Sequence, residues 1–141
     1  MAVLYPSNEW CEAWKDALNS SETVQETGKD WGVGFNGNWI FELTPGGGLD
    51  RTTYLYLAAQ AGKCTAAHLI DDPSEVDAGF LATGSYKDFK PVVKGEKDFM
   101  ESVMRGTITV KGNMSKIMRS ARFIKAVADS LSSFEAEYLG E

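Results

Sequence analysis

The sequence predicts an α+β fold, in which a sheet is covered mainly on one face by helices. Apolar residues first recur at helical spacing, then alternate with polar residues from about residue 38 to 83, and return to helical spacing afterwards. A block of strands followed by a block of helices is typical of α+β proteins. The chain has 141 residues, of which 43% are hydrophobic, so we expect one domain over 1–141 with a substantial core.

The first segment is predicted to be an amphipathic helix. Ser7 can cap its first turn, and Trp10 and Trp14 repeat at the spacing of one helical turn. A second short helical stretch is predicted over 20–26 and ends at Gly28, because glycine commonly follows the last turn of a helix.

Alternating apolar residues then predict four strands. Trp39, Phe41 and Leu43 share one side of the first strand, while the glycine-rich loop 45–48 leads into the second. The pair Ala61-Gly62 is a plausible tight turn into the third strand. The four predicted strands cover 38–43, 52–58, 63–70 and 76–83.

Helices follow the strands. Ser85 and Asp88 form a pair that resembles a capping box, and Asp98 and Glu101 form a second one. Between them, Pro91 is expected to kink or shorten its helix, since proline lacks the backbone donor that a helix interior needs.

Methionines cluster around the last predicted strand, which covers 107–110. The helical stretch after it runs from Gly112 through Phe134. Methionine is flexible and polarisable, so the cluster suits either ordinary core packing or an adaptable apolar binding surface. Its members are Met100, Met104, Met114 and Met118.

Charge is distributed unevenly along the chain. The net charge is −6, which argues against a nucleic-acid-binding protein. Residues 85–125 carry ten basic and four acidic side chains, whereas the remainder carries four basic and sixteen acidic ones. Either the charges are solvated helix faces, or a positive face meets an anionic partner. Two cysteines and no pattern typical of a signal peptide lead us to expect a cytoplasmic protein.

Three short patterns do not support catalysis, a cofactor or a metal ion. Residues 32–37 have the glycine spacing of a dinucleotide fingerprint, but a strand follows where that site needs a helix. Cys64 and His68 lie about 13 Å apart along a strand, too far for a nucleophile and its base. The acidic run 71–77 lacks the ligand spacing of a calcium loop.

The order of residues in 99–114, FMESVMRGTITVKGNM, resembles the signature of the sterol carrier protein family. Members have a methionine-containing helix, a glycine, a short strand and then Gly-Asn/Asp-Met at the start of the next helix. The capped aromatic helix starting near 84–89 is also similar, and the resemblance extends over about 38–134. Thr107 departs from the lysine that is common after that glycine.

This resemblance implies a five-stranded mixed sheet and an apolar tunnel between sheet and helices, which holds a fatty acid, an acyl-CoA or a sterol. It also implies a carrier that breaks no bond. Each residue that the resemblance assigns to the tunnel wall could instead belong to a solidly packed core. The implied ligand-binding residues are Phe99, Met100, Val103 and Met104 in one wall, Ile108 and Val110 in the floor, Met114, Ile117 and Met118 beyond it, Phe123, Val127 and Leu131 in a lid, and Phe41, Leu55 and Leu57 on the strands.

Two other functions stay open. One is a dimerising or accessory module of a lipid-metabolising enzyme, which exposed Trp10, Trp14 or Trp31 would favour. The other is a small enzyme acting on an acyl or aromatic substrate, which would need His68 beside Cys11 or a buried carboxylate facing the cavity. For the carrier, a transient contact with an anionic membrane is expected through five basic residues near the lid, and a homodimer stays open. These residues are Lys111, Lys116, Arg119, Arg122 and Lys125.

Overall fold

The computed structural model describes residues 2–141 as a five-stranded sheet with six helices and a separate pair of short strands. Strand order in the large sheet is β4-β3-β2-β5-β6. In chain order the elements are β1 (Val3–Tyr5), α1 (Asn8–Ser20), α2 (Glu22–Thr27), β2 (Trp39–Thr44), β3 (Thr53–Gln60), β4 (Lys63–Ile70), β5 (Phe80–Ser85), α3 (Tyr86–Val93), α4 (Phe99–Arg105), β6 (Thr109–Lys111), α5 (Met114–Arg119), α6 (Ala121–Ser130) and β7 (Ala136–Tyr138).

The sheet is mixed, as predicted. Its central strand β2 is antiparallel to β3 and parallel to β5, so that Trp39 pairs with Leu57 on one side and with Phe80 on the other. The outer strands β4 and β6 are antiparallel to their neighbours. The parallel β2–β5 pair is connected through β3 and β4, the hairpin strands that the alternation predicted.

Helices cover one face of this sheet. Successive side chains on a strand point to opposite faces, and Trp39, Leu55 and Leu57 on the inner face are buried. The other face presents half-buried Tyr56 beside exposed His68, whose rings lie 5.5 Å apart. Helix α1 packs on β4, α3 on β2 and β5, and α6 on α1 and α2. The α+β prediction is confirmed.

The predicted caps set where the helices begin. Ser7 accepts a hydrogen bond from the backbone N–H of Trp10, Ser85 from that of Asp88, and Asp98 from that of Glu101. Each bond satisfies a donor that the first turn of a helix leaves without a partner.

Several predicted boundaries were wrong. β5 begins at Phe80 rather than at 76, because Asp72 and Glu75 form a capping box around a single 3₁₀ turn over Pro73–Glu75. The next strand begins at Thr109 rather than at 107, because the N–H groups of 107 and 108 bond back to the carbonyl of Ser102. Pro91, which was expected to kink or shorten its helix, lies in the last turn of α3, and the helix ends two residues later at Val93.

The C-terminal region also differs from the prediction. α6 ends at Ser130, so Phe134 lies beyond the helix instead of inside it. The chain then forms β7, which pairs in parallel with β1. Neither strand was predicted, since three residues are too few to show an alternation.

An apolar cavity between sheet and helices

A cavity lies between the inner face of the sheet and the covering helices. The cavity volume is about 60 Å³, counted as the space that the centre of a water-sized sphere can occupy. This volume is enough for a few water molecules. Its wall is formed by Tyr5, Trp10, Trp14, Trp39, Phe41, Leu55, Leu57, Ala59, Phe89, Val92, Val93, Phe99, Phe123, Ile124, Val127, Ala128 and Leu131.

The sheet contributes a flat aromatic and aliphatic floor. Trp39 and Phe41 stack with their ring centroids 5.5 Å apart and their planes at 6°. Leu57 and Leu55 lie opposite these two residues on β3, in register. This floor follows from the alternation in β2 and β3, which places every second apolar side chain on the same face.

Four helices supply most of the opposite wall, with α4 contributing Phe99. Trp14 of α1 packs edge to face against Phe41, with the ring centroids 5.9 Å apart. Phe89 of α3 packs edge to face against the same ring, with the centroids 6.4 Å apart. α6 presents Phe123 and Val127, which are one helical turn apart. Each helix directs its apolar stripe at the sheet, as amphipathic helices do.

Polar atoms in the wall are few. The indole N–H of Trp14 donates to Ser130 Oγ at 2.9 Å, and Ser130 in turn donates to the carbonyl of Val127 at 2.5 Å. Trp10 Nε1 is also buried, yet it has no hydrogen-bond partner in the part of the chain that the structure describes. Burial raises the pKa of the Tyr5 hydroxyl well above its ordinary value, so this group is neutral.

The predicted ligand-binding residues separate into two groups. Seven of the fifteen line the cavity, namely Phe41, Leu55, Leu57, Phe99, Phe123, Val127 and Leu131. The others lie outside its wall. Ile108 and Ile117 are fully buried in the core, and Met100, Val103 and Val110 pack against that core while half-buried. Met104, Met114 and Met118 are exposed, at 81%, 37% and 59%.

The exposed methionines lie on very short helices. α4 has seven residues and turns Phe99 and Ser102 inward, so that Met104 points to the opposite side. α5 has six residues and buries Ile117 alone. A helix of two turns has room for one or two fully buried positions, and no clustered methionine occupies one, although half-buried Met100 packs against the core.

Sequence reasoning missed ten of the wall residues. Those from α1 lie before residue 38, outside the range of the family resemblance, whereas those from α3 lie inside that range but were not among the residues that the resemblance assigned to the tunnel. The missed residues are Tyr5, Trp10, Trp14, Trp39, Ala59, Phe89, Val92, Val93, Ile124 and Ala128.

The nucleophile and base that an enzyme would need do not come together. Cys11 and Cys64 are buried, and burial raises the pKa of Cys11 to about 12 and that of Cys64 to about 11. Thiols with such pKa values stay protonated at neutral pH and are poor nucleophiles. His68 is exposed on the outer face of the sheet.

Among residues 2–141, no group of three or more His, Cys, Asp or Glu side chains is placed to hold a metal ion. None of the helices within this range is long and apolar enough to cross a membrane.

Sequence comparison places most of the chain in a known protein family. Residues 19–125 match the SCP-2 sterol transfer family, which is most of the chain. The protein belongs to the SCP-2 sterol transfer family, as the resemblance predicted. No curated protein matches it significantly in sequence.

Solved structures with the same fold are similar in shape and distant in sequence. A crystal structure of sterol carrier protein 2 has a TM-score of 0.78 at 19% identity, covering 89% of this chain and 95% of that one. A conserved hypothetical protein from Thermus thermophilus has a TM-score of 0.80 at 17% identity, covering 96% and 92%. The UbiJ-SCP2 ubiquinone synthesis protein has a TM-score of 0.52 at 10% identity, covering 87% and 90%.

Proposed function

We propose that this chain binds one lipid molecule in the cavity and carries it without chemical change. The observation that supports this proposal is the wall itself, in which aromatic and aliphatic side chains from the sheet and four helices converge. Ligand sites are concave and mostly apolar, with few polar groups. Each methylene moved from water into such a site contributes about 0.8 kcal/mol, so an acyl chain or a ring system is the ligand that gains most.

The cavity must expand to admit a lipid. Its 60 Å³ is well below the roughly 300–1,000 Å³ of pockets that hold drug-sized ligands. α6 is the helix whose movement would open it most directly, because five wall residues lie on this helix or directly after it, from Phe123 to Leu131. We infer that lipid entry separates α6 from the sheet.

The remaining features of the proposal concern location and partners. Both cysteines are free, which fits a reducing cytoplasm. Lys111, Arg119 and Arg122 are exposed, and exposed Met118 lies beside Arg119. Cations next to flexible apolar side chains suit a brief contact with an anionic bilayer, where each charge contributes about 1 kcal/mol.

The accessory-module alternative receives less support. It called for exposed tryptophans on the folded chain, but Trp10, Trp14 and Trp31 are 1%, 3% and 2% exposed. These side chains form the core under α1 and the cavity wall, so they offer no surface to a partner. The UbiJ-SCP2 neighbour shares the fold at 10% identity, which supports no specific partner.

The carrier proposal is tested by filling the cavity. Ala128 lies in its wall on α6, whereas Ala121 on the same helix is exposed. We expect Ala128→Leu to weaken binding of a fluorescent lipid at least about tenfold, because the added side chain takes ligand space, and Ala121→Leu to leave it unchanged. Equal binding by both variants would contradict the proposed site, and native mass spectrometry of the purified protein would identify any co-purified lipid.

A further inference from the structure

We propose that the loop 32–37 and helix α5 form one membrane-docking surface, on which Val33, Met114 and Met118 enter the interface of an anionic bilayer. This inference rests on the proposed lipid-carrier function and identifies the part of the carrier that meets the membrane. Two independent observations support it. Large apolar side chains are exposed on this surface, and the segment that carries the methionines has basic side chains but no acidic one.

Exposed apolar side chains are concentrated on this surface. Among residues 2–141, five large hydrophobic side chains are exposed, and three of them are Val33 at 55%, Met114 at 37% and Met118 at 59%. The two methionines are four residues apart on α5 and therefore lie on the same side of the helix, while Ile117 is buried. Exposed apolar patches with a polar rim mark contacts with membranes or with other proteins.

The loop has a defined shape that projects Val33. The indole N–H of Trp31 donates to the carbonyl of Gly37 at 2.9 Å, which closes the loop at its base. Gly32 and Gly34 have φ values of 77° and 81°, and glycine adopts this left-handed conformation at little cost. The chain thus turns on both sides of Val33. The glycines whose spacing resembles a dinucleotide fingerprint therefore serve to present an apolar side chain.

The loop and α5 are neighbours in space. Lys116 Nζ lies 4.3 Å from the centroid of the Phe35 ring, which is a cation–π contact. Phe35 also packs edge to face against Phe80, with the ring centroids 6.3 Å apart. Gly112 precedes α5 and approaches the same ring so closely that a Cβ there would lie 2.5 Å from it. The loop and the start of α5 therefore belong to one continuous surface.

The charge of this surface favours an anionic bilayer as the partner. Residues 111–125 contain five basic side chains and no acidic one. Lys111, Arg119 and Arg122 are exposed and form no ion pair within the described part of the chain. Anionic head groups attract such cations, while the apolar side chains beside them enter the boundary between head groups and acyl chains.

The docking surface adjoins the cavity. Phe35 packs edge to face against Trp31, with the ring centroids 5.2 Å apart, and the centroid of Phe123 lies 5.4 Å from that of Trp31. Phe123 is a wall residue near the start of α6, the helix whose movement would open the cavity most directly. Docking therefore brings the bilayer beside the element that has to move when a lipid enters or leaves.

The first experiment places an environment-sensitive NBD fluorophore on single cysteines of the full chain. Val33→Cys carries it at the loop tip. Met104→Cys is the matched control, because Met104 is 81% exposed and lies on α4, which precedes β6, whereas α5 follows it. Cys11 and Cys64 are buried, so the label reacts with the introduced thiol.

The vesicles are an equal mixture of phosphatidylcholine and phosphatidylglycerol. At low salt, emission from the label at position 33 should rise at least about twofold and shift to shorter wavelength, because the fluorophore enters the bilayer interface. The label at position 104 should change little. Vesicles of phosphatidylcholine alone should leave both labels nearly unchanged, since they do not attract the cations.

The second experiment changes the apolar side chains and keeps every charge. The double variant Val33→Ser and Met118→Ser should bind the mixed vesicles at least about tenfold more weakly than the wild type in a sedimentation assay. Met104→Ser is the control and should bind as the wild type does. Both variants should keep the wild-type affinity for a fluorescent lipid in the absence of vesicles, because Val33, Met104 and Met118 lie outside the cavity wall.

These measurements separate the docking surface from the carrier function. Equal emission changes at positions 33 and 104, or equal vesicle binding by the double variant and the wild type, would overturn the docking surface. Equally strong binding to phosphatidylcholine vesicles would overturn the requirement for anionic lipid. A wild type that docks on vesicles but binds no fluorescent lipid would instead contradict the proposed function.

Discussion

At the scale of single residues, the two thiols show how burial determines reactivity. Cys11 is fully buried, and desolvation, followed by the nearby Cys64, raises its pKa from 9.0 to about 12. A thiolate in that position would lose its water without gaining a cation, so the neutral thiol is favoured. The protein therefore keeps Cys11 as a small apolar core residue rather than as a nucleophile.

This burial predicts a loss of stability in alkaline solution. The unfolded chain ionises Cys11 near pH 9, whereas the folded chain holds the proton until about pH 12. The buried thiol therefore makes its full contribution to the free energy of unfolding below pH 9. This contribution is lost as the pH rises from 9 to about 12. We expect Cys11→Ala to unfold at a temperature that depends less on pH between 9 and 11 than that of the wild type, by calorimetry. A matched slope for both proteins would show that the thiol does not contribute.

The methionines show that the sequence pattern does not determine which apolar side chains are buried. Periodicity identified which side of each segment is apolar, and seven of the fifteen predicted residues do line the cavity. It could not tell which apolar side chains meet a neighbouring element. Met104 and Met118 followed the family signature, but their short helices turn other residues inward and leave them exposed at 81% and 59%. Which residues of a short helix point inward depends on the length of the helix and on its tertiary packing.

At the scale of elements, two asparagine side chains of α1 bond to the edge strand β4, namely Asn8 to the backbone N–H of Leu69 and Asn19 to the backbone of Cys64. Asn19 donates to the carbonyl of Cys64 at 2.9 Å and accepts from its backbone N–H at 2.9 Å. These two bonds satisfy both backbone groups of a residue at the start of the edge strand β4. Through them the end of α1 is held in position against β4, and the Trp10 and Trp14 face is held over the cavity.

We therefore expect Asn19→Ala to destabilise the fold. It removes two hydrogen bonds, and each contributes about 0.5–1.5 kcal/mol, so the free energy of unfolding should fall by about 1–3 kcal/mol. Denaturant titration followed by tryptophan fluorescence measures this change. Asn113→Ala is the matched control for losing a helix-end asparagine, since Asn113 caps α5 away from the cavity wall. An Asn19→Ala variant as stable as the wild type would contradict the role of this contact.

Most elements could be predicted from local sequence, and the exceptions share a cause. The hairpin strand β4 was predicted with its observed bounds, 63–70, because alternation and a turn glycine lie within the segment itself. β1 and β7 each have three residues and pair across most of the chain length, with Val3 opposite Ala136. No local pattern encodes such a pairing. It forms because the ends meet beside Tyr86, whose hydroxyl donates to the carbonyl of Leu139.

At the scale of the whole molecule, the basic segment 85–125 does not act as one patch. Lys90 and Lys94 form ion pairs with Glu141, Arg105 with Glu101, and Lys125 with Asp129. Within residues 2–141, no ion pair involves Lys111, Arg119 or Arg122. Lys116 lies over the ring of Phe35 at 4.3 Å. Exposed Lys87 and Lys97 also form no ion pair within the described residues, so the largest group of unpaired cations, but not all of them, lies on β6, α5 and the first turn of α6.

This concentration predicts a surface that approaches anionic membranes during lipid transfer. Three exposed cations, which form no ion pair within the described part of the chain, each contribute about 1 kcal/mol near such a bilayer, and screening limits the attraction to about 10 Å. The triple variant Lys111→Glu, Arg119→Glu and Arg122→Glu should slow transfer of a fluorescent lipid to anionic vesicles at least about tenfold at low salt. Affinity for the lipid itself should not change, since none of the three lines the cavity.

The matched control reverses the same amount of charge on exposed residues outside the basic segment, as Lys29→Glu, Arg51→Glu and Lys63→Glu. If total charge alone determined the rate, both triple variants would slow transfer equally, and the position of the cations on β6, α5 and α6 would have no role. If the position matters, the control should transfer lipid nearly as fast as the wild type. In that case raising the salt concentration should slow the wild type and the control towards the rate of the first variant, because screening removes the attraction that only they retain.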